Sequence, residues 1–276
     1  ETLEITWDAG AAEKGGYEHF MIKEIHEQPA VIRDALRGRL NADDTISLKE
    51  MNLSDEQIKK FNRIYIVACG TAYYAGCVGK YYFEKLLGVP VEVDLASEFR
   101  YRGPILDDKS LVIAISQSGE TADTLAAIRL AKQFGSTTAA VVNVVGSSLY
   151  RECDSILHTK AGPEICVAST KAYITQVIGL YIMGTYLARA RGTITAEQEK
   201  EYVREMRKFP EMAEAALKTE EQIKDIAKHL APKEHAYFLG RGLDYAVGLE
   251  GALKLKEISY IHAEAYAAGE MKHGPL

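Results

Sequence analysis

The chain has 276 residues, 47% hydrophobic and 26% charged, in the range of ordinary globular proteins and long enough for one large or two smaller domains. A net charge of −6 argues against a nucleic-acid-binding face. Four widely spaced cysteines (Cys69, Cys77, Cys153, Cys166) without a C-x-x-C pair or clustered histidines argue against zinc or any other metal, and for reduced thiols in a cytoplasmic protein.

Residues 1–16 are acidic and glycine-containing and read as a linker; no basic stretch followed by an apolar one marks a signal peptide. Tyr17 to Arg39 reads as helix, with a break at Pro29. From Arg63 short apolar strands alternate with helices. "RIYIVACG" leads into "TAYYAGCVGKYYFEKLLG", "VPVEVDL" into "ASEFRY", and "SLVIAIS" into a helix beginning near Ala122. "STTAAVV" and "SILHTK" follow. This alternation predicts an α/β fold with a parallel sheet covered on both faces. Ala172 to Ala190 is the most apolar long segment, yet it holds Thr175, Gln176 and Thr185. It reads as a core helix rather than a membrane span. Helix is expected to continue to Lys228, interrupted at Gly192-Thr193 and Pro210.

At His235 the strand–glycine–helix pattern returns. Tyr65–Gly70 aligns with Tyr237–Gly242, Tyr73 with Tyr245, and Gly76 with Gly248; Gly103-Pro104 recurs almost in phase as Gly274-Pro275. This is the signature of a duplication whose second copy is truncated, and apolar surface is expected to be left uncovered there. The expected organisation is a linker and helix over 1–40, a first domain over 41–192, connecting helices over 193–230, and the start of a second domain over 231–276.

Ser116, Gln117, Ser118 and Thr121 crowd into the turn after "LVIAI", at the carboxyl end of a buried strand, where such sheets bind ligands. With the open N–H groups of the next helix they form a neutral, donor-rich cup for an anion. A plain helix cap at Ser118 or Thr121 is the alternative, but it accounts for one hydroxyl and not three plus an amide. No phosphate-binding nucleotide motif is present.

"CGTAYYAG", "ASEFRYR", "SQSGETADTLAA", "VASTKAY" and "GALKLKEISYIHAEAYAAGEMKHGPL" together resemble the isomerase part of the glutamine–fructose-6-phosphate aminotransferase family. The resemblance runs from about Ile5 to Leu276. It implies two sugar-isomerase (SIS) domains, each a five-stranded parallel sheet flanked by helices. It also implies conversion of fructose 6-phosphate and ammonia to glucosamine 6-phosphate in a homodimer with a shared active site, with no cofactor. The family's glutamine-hydrolysing domain, which supplies the ammonia, is not found in this chain. The resemblance makes Ser116, Gln117, Ser118 and Thr121 a phosphate cradle and Cys69, Gly70 and Thr71 sugar contacts. Val167 and Ser169 belong to a loop closing over the sugar. Ala72 stands where some members carry serine. Cys69 reads either as a nucleophile or as a small packed thiol, the second being plainer because no histidine lies nearby in sequence.

Moving a carbonyl between adjacent carbons needs a group that takes a proton from one and returns it to the other. Glu257 suits that work, with Lys254 three residues before it on one helical face and Glu250 four before that. Spacing alone fits an exposed helix with routine ion pairs equally well; the resemblance assigns Glu257 as proton shuttle, Lys254 as its helper and Glu250 as support. His273 corresponds to a ring-opening histidine supplied across subunits, and His262 reads as structural. No residue matches the family's imine-forming lysine. A non-catalytic module that senses a phosphosugar would need the serine-rich turn but not Lys254, Glu257 and His273 together.

Overall fold

A computed structural model describes residues 13–275, so most of the expected linker lies outside the described residues. The chain divides between Phe209 and Pro210 into two compact units.

The first unit opens with α1 (Phe20–His26) and α2 (Gln28–Leu36), with Pro29 in the first turn of α2, where its missing N–H costs nothing. α3 (Asp55–Lys60) precedes β1 (Arg63–Ala68), α4 (Thr71–Leu87), β2 (Val91–Leu95) and α5 (Ala96–Phe99). Then come β3 (Ser110–Ser116), α6 (Ala122–Gln133), β4 (Thr137–Val142), α7 (Ser148–Glu152) and β5 (Ser155–His158). α8 (Lys171–Arg191) and α9 (Ala196–Met206) follow. The five strands form one parallel sheet in the order β2-β1-β3-β4-β5. All seven residues of β3, the central strand, are buried.

Alternation along the strands divides the core into two layers. Tyr65, Val67, Val112, Ala114, Ala140 and Val142 face Phe99 of α5, Leu125 and Ile128 of α6, and Leu149 next to them. α4 and α8 pack on each other and on the sheet. α8 contains the segment read as a core helix, and Leu180, Ile182, Met183 and Thr185 are fully buried. Its two buried threonines find partners: Thr175 Oγ1 donates to the Lys171 and Ala172 carbonyls, and Thr185 Oγ1 bonds the Tyr82 hydroxyl at 2.7 Å, whereas Gln176 Oε1 is buried without one among the described residues. No described helix is long and apolar enough to cross a membrane.

The second unit has α10 (Phe209–Leu217, beginning one residue before the division), α11 (Glu220–Leu230), β6 (His235–Gly240), α12 (Leu243–Ser259) and β7 (His262–Ala267). A 3₁₀ segment over Ala268–His273 follows. The helical run breaks between Met206 and Phe209, and Pro210 sits in the first turn of α10 as Pro29 does in that of α2. β7 was not legible as a strand, and it pairs with β6 in parallel.

The two units repeat at one constant offset. α4 and α12 both run 17 residues, each entered from a glycine: Gly70 at φ 55°, ψ −134° and Gly242 at φ 56°, ψ −122°. The register also repeats, since Ile64 faces Val91 as Ala236 faces Ala263. Gly88, in the left-handed cap of α4, is matched by Tyr260 at φ 61°. The second unit thus holds counterparts of β1, α4 and β2, the beginning of a second copy. Tyr237 and Leu239 are 50% and 53% exposed, whereas their counterparts Tyr65 and Val67 are buried. The expected uncovered apolar surface is present.

Candidate functional site

In the order β2-β1-β3-β4-β5 the chain leaves β1 to one side for β2 and returns on its other side as β3. The crevice of such a sheet opens at the carboxyl ends of these two strands. Two groups of expected site residues lie at these ends. Cys69, Gly70 and Thr71 follow β1, and Ser116 to Thr121 join β3 to α6. β1 and β3 are paired neighbours, with Val67 opposite Ala114, so both turns leave the sheet side by side. Cys69 packs against the core layer beneath the sheet, in keeping with a small packed thiol.

The serine-rich turn is built from its own side chains. Ser116, 4% exposed, accepts a hydrogen bond at Oγ from the Gly119 N–H at 2.9 Å, and Ser118 Oγ accepts from Glu120 N at 3.2 Å. Each hydroxyl used as an acceptor keeps its O–H as a donor. Thr121 occupies the N-cap position of α6 but its side chain makes no capping bond. The first N–H groups of α6 have no intrahelical acceptor, so backbone donors, hydroxyls and the half-buried Gln117 amide share one turn. Such a turn can receive an anion without a cationic side chain.

Gly119 is needed for a reason the sequence did not disclose. At φ 69° it lies in the left-handed region, and a Cβ there would sit 2.0 Å from Ser147 Oγ and 2.6 Å from Ser147 Cβ. Its carbonyl accepts from Leu149 N at 3.0 Å, and Glu120 Oε1 accepts from Ser148 N at 2.7 Å. The start of α7 thus braces the turn from behind, and the close approach is to the protein rather than toward open space.

Val167 and Ser169 lie on the loop from β5 to α8, which leaves the same end of the sheet. Val167 is 93% exposed. Ser169 Oγ donates to Glu164 Oε2 at 2.8 Å, while Glu164 Oε1 accepts from Thr170 N and Ala172 N. Glu164 therefore caps α8, and Ser169 keeps lone pairs to offer but not its hydrogen. Asn143, 2% exposed at the end of β4, holds the earlier part of this loop. It bonds Thr159 Oγ1, Ala161 N and the Gly162 carbonyl. Glu24 on α1 accepts from Ile165 N and Cys166 N. Glu24, Asn143, Ser147 and Glu164 were not found from sequence, because each acts on backbone that lies far along the chain or on a loop without a recognisable pattern.

In the second unit, Glu250, Lys254 and Glu257 line one face of α12. Lys254 Nζ is 3.5 Å from Glu250 Oε1 and 2.5 Å from Glu257 Oε2. Side-chain exposure rises along the row, 7% for Glu250, 17% for Lys254 and 31% for Glu257. One ammonium is thus held between a buried carboxylate and an accessible one. His273, exposed, ends the 3₁₀ segment. His262 starts β7, its ring edge-on to His235 at 5.6 Å and its Nε2 3.4 Å from Glu264.

The sequence pattern of the SIS domain matches residues 57–185 and 229–276. The glutamine–fructose-6-phosphate aminotransferases (isomerizing) of Clostridium tetani and Clostridium acetobutylicum are 60% and 56% identical over 276 residues. These alignments take in 100% of this chain and 45% of each relative. The chain thus spans less than half the length of these curated relatives. Among solved structures, the C-terminal domain of glucosamine-fructose-6-phosphate aminotransferase from Francisella tularensis matches with a TM-score of 0.90 at 47% identity. That match covers 95% of this chain and 73% of the other. The repeated β-α-β units, the serine-rich turn at the sheet's switch point and these likenesses lead to one assignment: the chain belongs to the SIS domain family, in the branch of the C-terminal part of the glutamine–fructose-6-phosphate aminotransferases.

Proposed function

We propose that this chain is the sugar-phosphate-handling part of an enzyme that converts fructose 6-phosphate and ammonia to glucosamine 6-phosphate, the ammonia coming from glutamine on another domain. The observation that carries the reading is the braced, donor-rich turn Ser116–Thr121 at the carboxyl end of β3, with no lysine or arginine in it. A hydrogen bond to a charged group contributes about 1.5–3 kcal/mol, so three or four hold a phosphate monoester firmly. Cys69, Gly70 and Thr71 on the neighbouring strand end, with Val167 and Ser169, then contact the sugar.

In this reading His273, from the other subunit of a homodimer, moves the proton that opens the sugar ring. Ammonia condenses with the C2 carbonyl and water leaves; Glu257 then carries a proton from C1 to C2 of the imine, and Lys254 keeps its carboxylate oriented. Glu250 holds Lys254 from the buried side at 3.5 Å. The shuttle works because one carboxylate close to both carbons serves as base and then as acid. The domain bounds proposed with this function are 41–192 and 231 onward for the two SIS copies, with 193–230 connecting them, in a cytoplasmic protein.

The alternative, a phosphosugar-sensing module without catalysis, would use the same turn. The Glu250–Lys254–Glu257 row favours the enzyme, since a sensor has no use for an accessible carboxylate held beside an ammonium. The test is calorimetric titration of the full-length protein with fructose 6-phosphate, glucosamine 6-phosphate and unphosphorylated fructose. The two phosphates should bind and fructose far more weakly. Unaltered phosphate-ester affinity in a Ser116→Ala/Ser118→Ala double variant would move the site elsewhere.

A further inference from the structure

We propose that Glu24 is a positioning residue for the sugar side of this site: its buried carboxylate fixes the Ile165–Cys166 peptides and thereby sets where Val167 and Ser169 stand. The inference rests on the functional reading above, which assigns those two residues to the sugar.

Glu24 lies on α1, more than a hundred residues from the loop it holds, and is 2% exposed. A carboxylate so placed loses its hydration and must recover it from protein donors. Its Oε1 takes two consecutive backbone N–H groups, Ile165 at 2.7 Å and Cys166 at 3.2 Å. Burial pushes its carboxyl above the usual glutamate range and the two N–H groups pull it back. The Glu164 carboxylate raises it and the Lys171 ammonium lowers it. Lys171 is itself held by Glu27, also at the α1–α2 junction, at 2.6 Å. The first helices of the chain therefore grip the β5–α8 loop through a carboxylate and the start of α8 through an ion pair.

The placement of the anchors along the loop gives Glu24 its role. Asn143 holds residues 159–162, and Glu164 holds residues 169–172. On the stretch between them Ile165 is 42% and Val167 93% exposed, while Ala168 on the far side of Val167 is buried. Glu24 grips this stretch immediately before Val167. A loop residue that exposed keeps a fixed position only if the backbone beside it is tied, and an order-of-magnitude loss in binding follows when it is not. Glu24 touches neither the phosphate turn nor α12 through any of these bonds. Its effect is expected on the sugar and not on the phosphate.

The experiment uses the full-length protein as wild type, Glu24→Ala and Glu24→Gln, with titrations of fructose 6-phosphate and of inorganic phosphate. Alongside them, kcat and KM are measured for glucosamine 6-phosphate formation. Glu24→Ala should weaken fructose 6-phosphate binding and raise its KM about tenfold, with inorganic phosphate affinity within about twofold of wild type. Glu24→Gln keeps an acceptor oxygen and should recover most of the loss. Should Glu24→Ala not fold, Glu24→Asp, which withdraws the carboxylate by one methylene, takes its place. Unchanged fructose 6-phosphate binding in a folded variant overturns the inference, and so does an equal loss for both ligands, which would make Glu24 merely structural. Wild-type protein that binds inorganic phosphate but not fructose 6-phosphate overturns the functional reading, and this inference with it.

Discussion

Lys254 and Glu257 form a direct ion pair on α12, Nζ to Oε2 at 2.5 Å, with Glu250 behind the lysine on the buried side. The row has an order, because the Lys254 ammonium stands between the Glu250 and Glu257 carboxylates. Glu257→Gln should lower kcat for glucosamine 6-phosphate formation by about 10²–10⁴ with little change in KM. Glu250→Gln should lower it by about tenfold, since the lysine then loses its ion pair on the buried side. Steady-state kinetics on full-length protein decide this, and an effect of Glu250→Gln as large as that of Glu257→Gln would reverse the assigned order.

Gly119→Ala should damage the anion site more than any hydroxyl deletion in the turn. Its new methyl meets Ser147 Oγ at 2.0 Å in a backbone conformation that L-residues rarely adopt. Inorganic phosphate affinity should fall by more than about tenfold. Adding Ser147→Gly removes the clash with Ser147 and should recover part of the loss; what remains is backbone strain of about 1–2 kcal/mol, the 2.9 Å approach to Val142 Cγ2 and the lost Ser147 cap on α7. Phosphate titration of the single and double variants measures the two parts. No recovery in the double variant would mean that the clash with the Ser147 side chain does not govern the turn.

Much of this was legible in the sequence because it is local. The apolar runs of β1 and β3, the glycine after β1, the Pro29 break and the serine-rich turn each announce themselves within a few residues. The repeat was legible from aligned tyrosines and glycines. The rest depends on residues meeting from far apart. Glu24 and Asn143 look unremarkable where they stand in sequence, and only the fold brings them to the β5–α8 loop. A glycine at 119 is plain in the sequence, but that it lies against Ser147 is not. β7 escaped because "HAEAYA" alternates small residues rather than the large β-branched ones that mark a strand.

If His273 acts across a dimer, two inactive variants should complement each other. Mixing full-length Glu257→Gln and His273→Ala subunits yields some dimers in which one site carries both defects and the other neither. Such mixtures should recover up to about a quarter of wild-type activity if exchange is random and each site acts alone. No recovery, with exchange of subunits verified by mass, would show that each site is completed within one chain.

Burial pushes the Cys153 thiol up to about 12, the strongest influence on it, with the Asp154 carboxylate adding and the Lys132 ammonium opposing. The thiolate is the nucleophile, so at pH 8 this cysteine should resist iodoacetamide in the folded protein and react fully once unfolded. Peptide mass mapping after brief labelling checks it. Rapid native labelling at Cys153 would mean that the region around Asp154 opens readily.

The constant offset between the two units is also a record of descent. Where the first copy has Val78, Tyr82 and Lys85 on α4, the second has Glu250, Lys254 and Glu257 on α12. Tyr82 stayed a packing residue, stacked on Tyr181 at 4.0 Å with its hydroxyl on Thr185, while the matching position became an ammonium between carboxylates. The glycine that opens each helix changed in neither copy. The two copies share that helix entrance and differ along the rest of the helix face, packing in one and alternating charge in the other. One strand–helix–strand frame thus carries two unlike faces, with helix length and strand register the same under both.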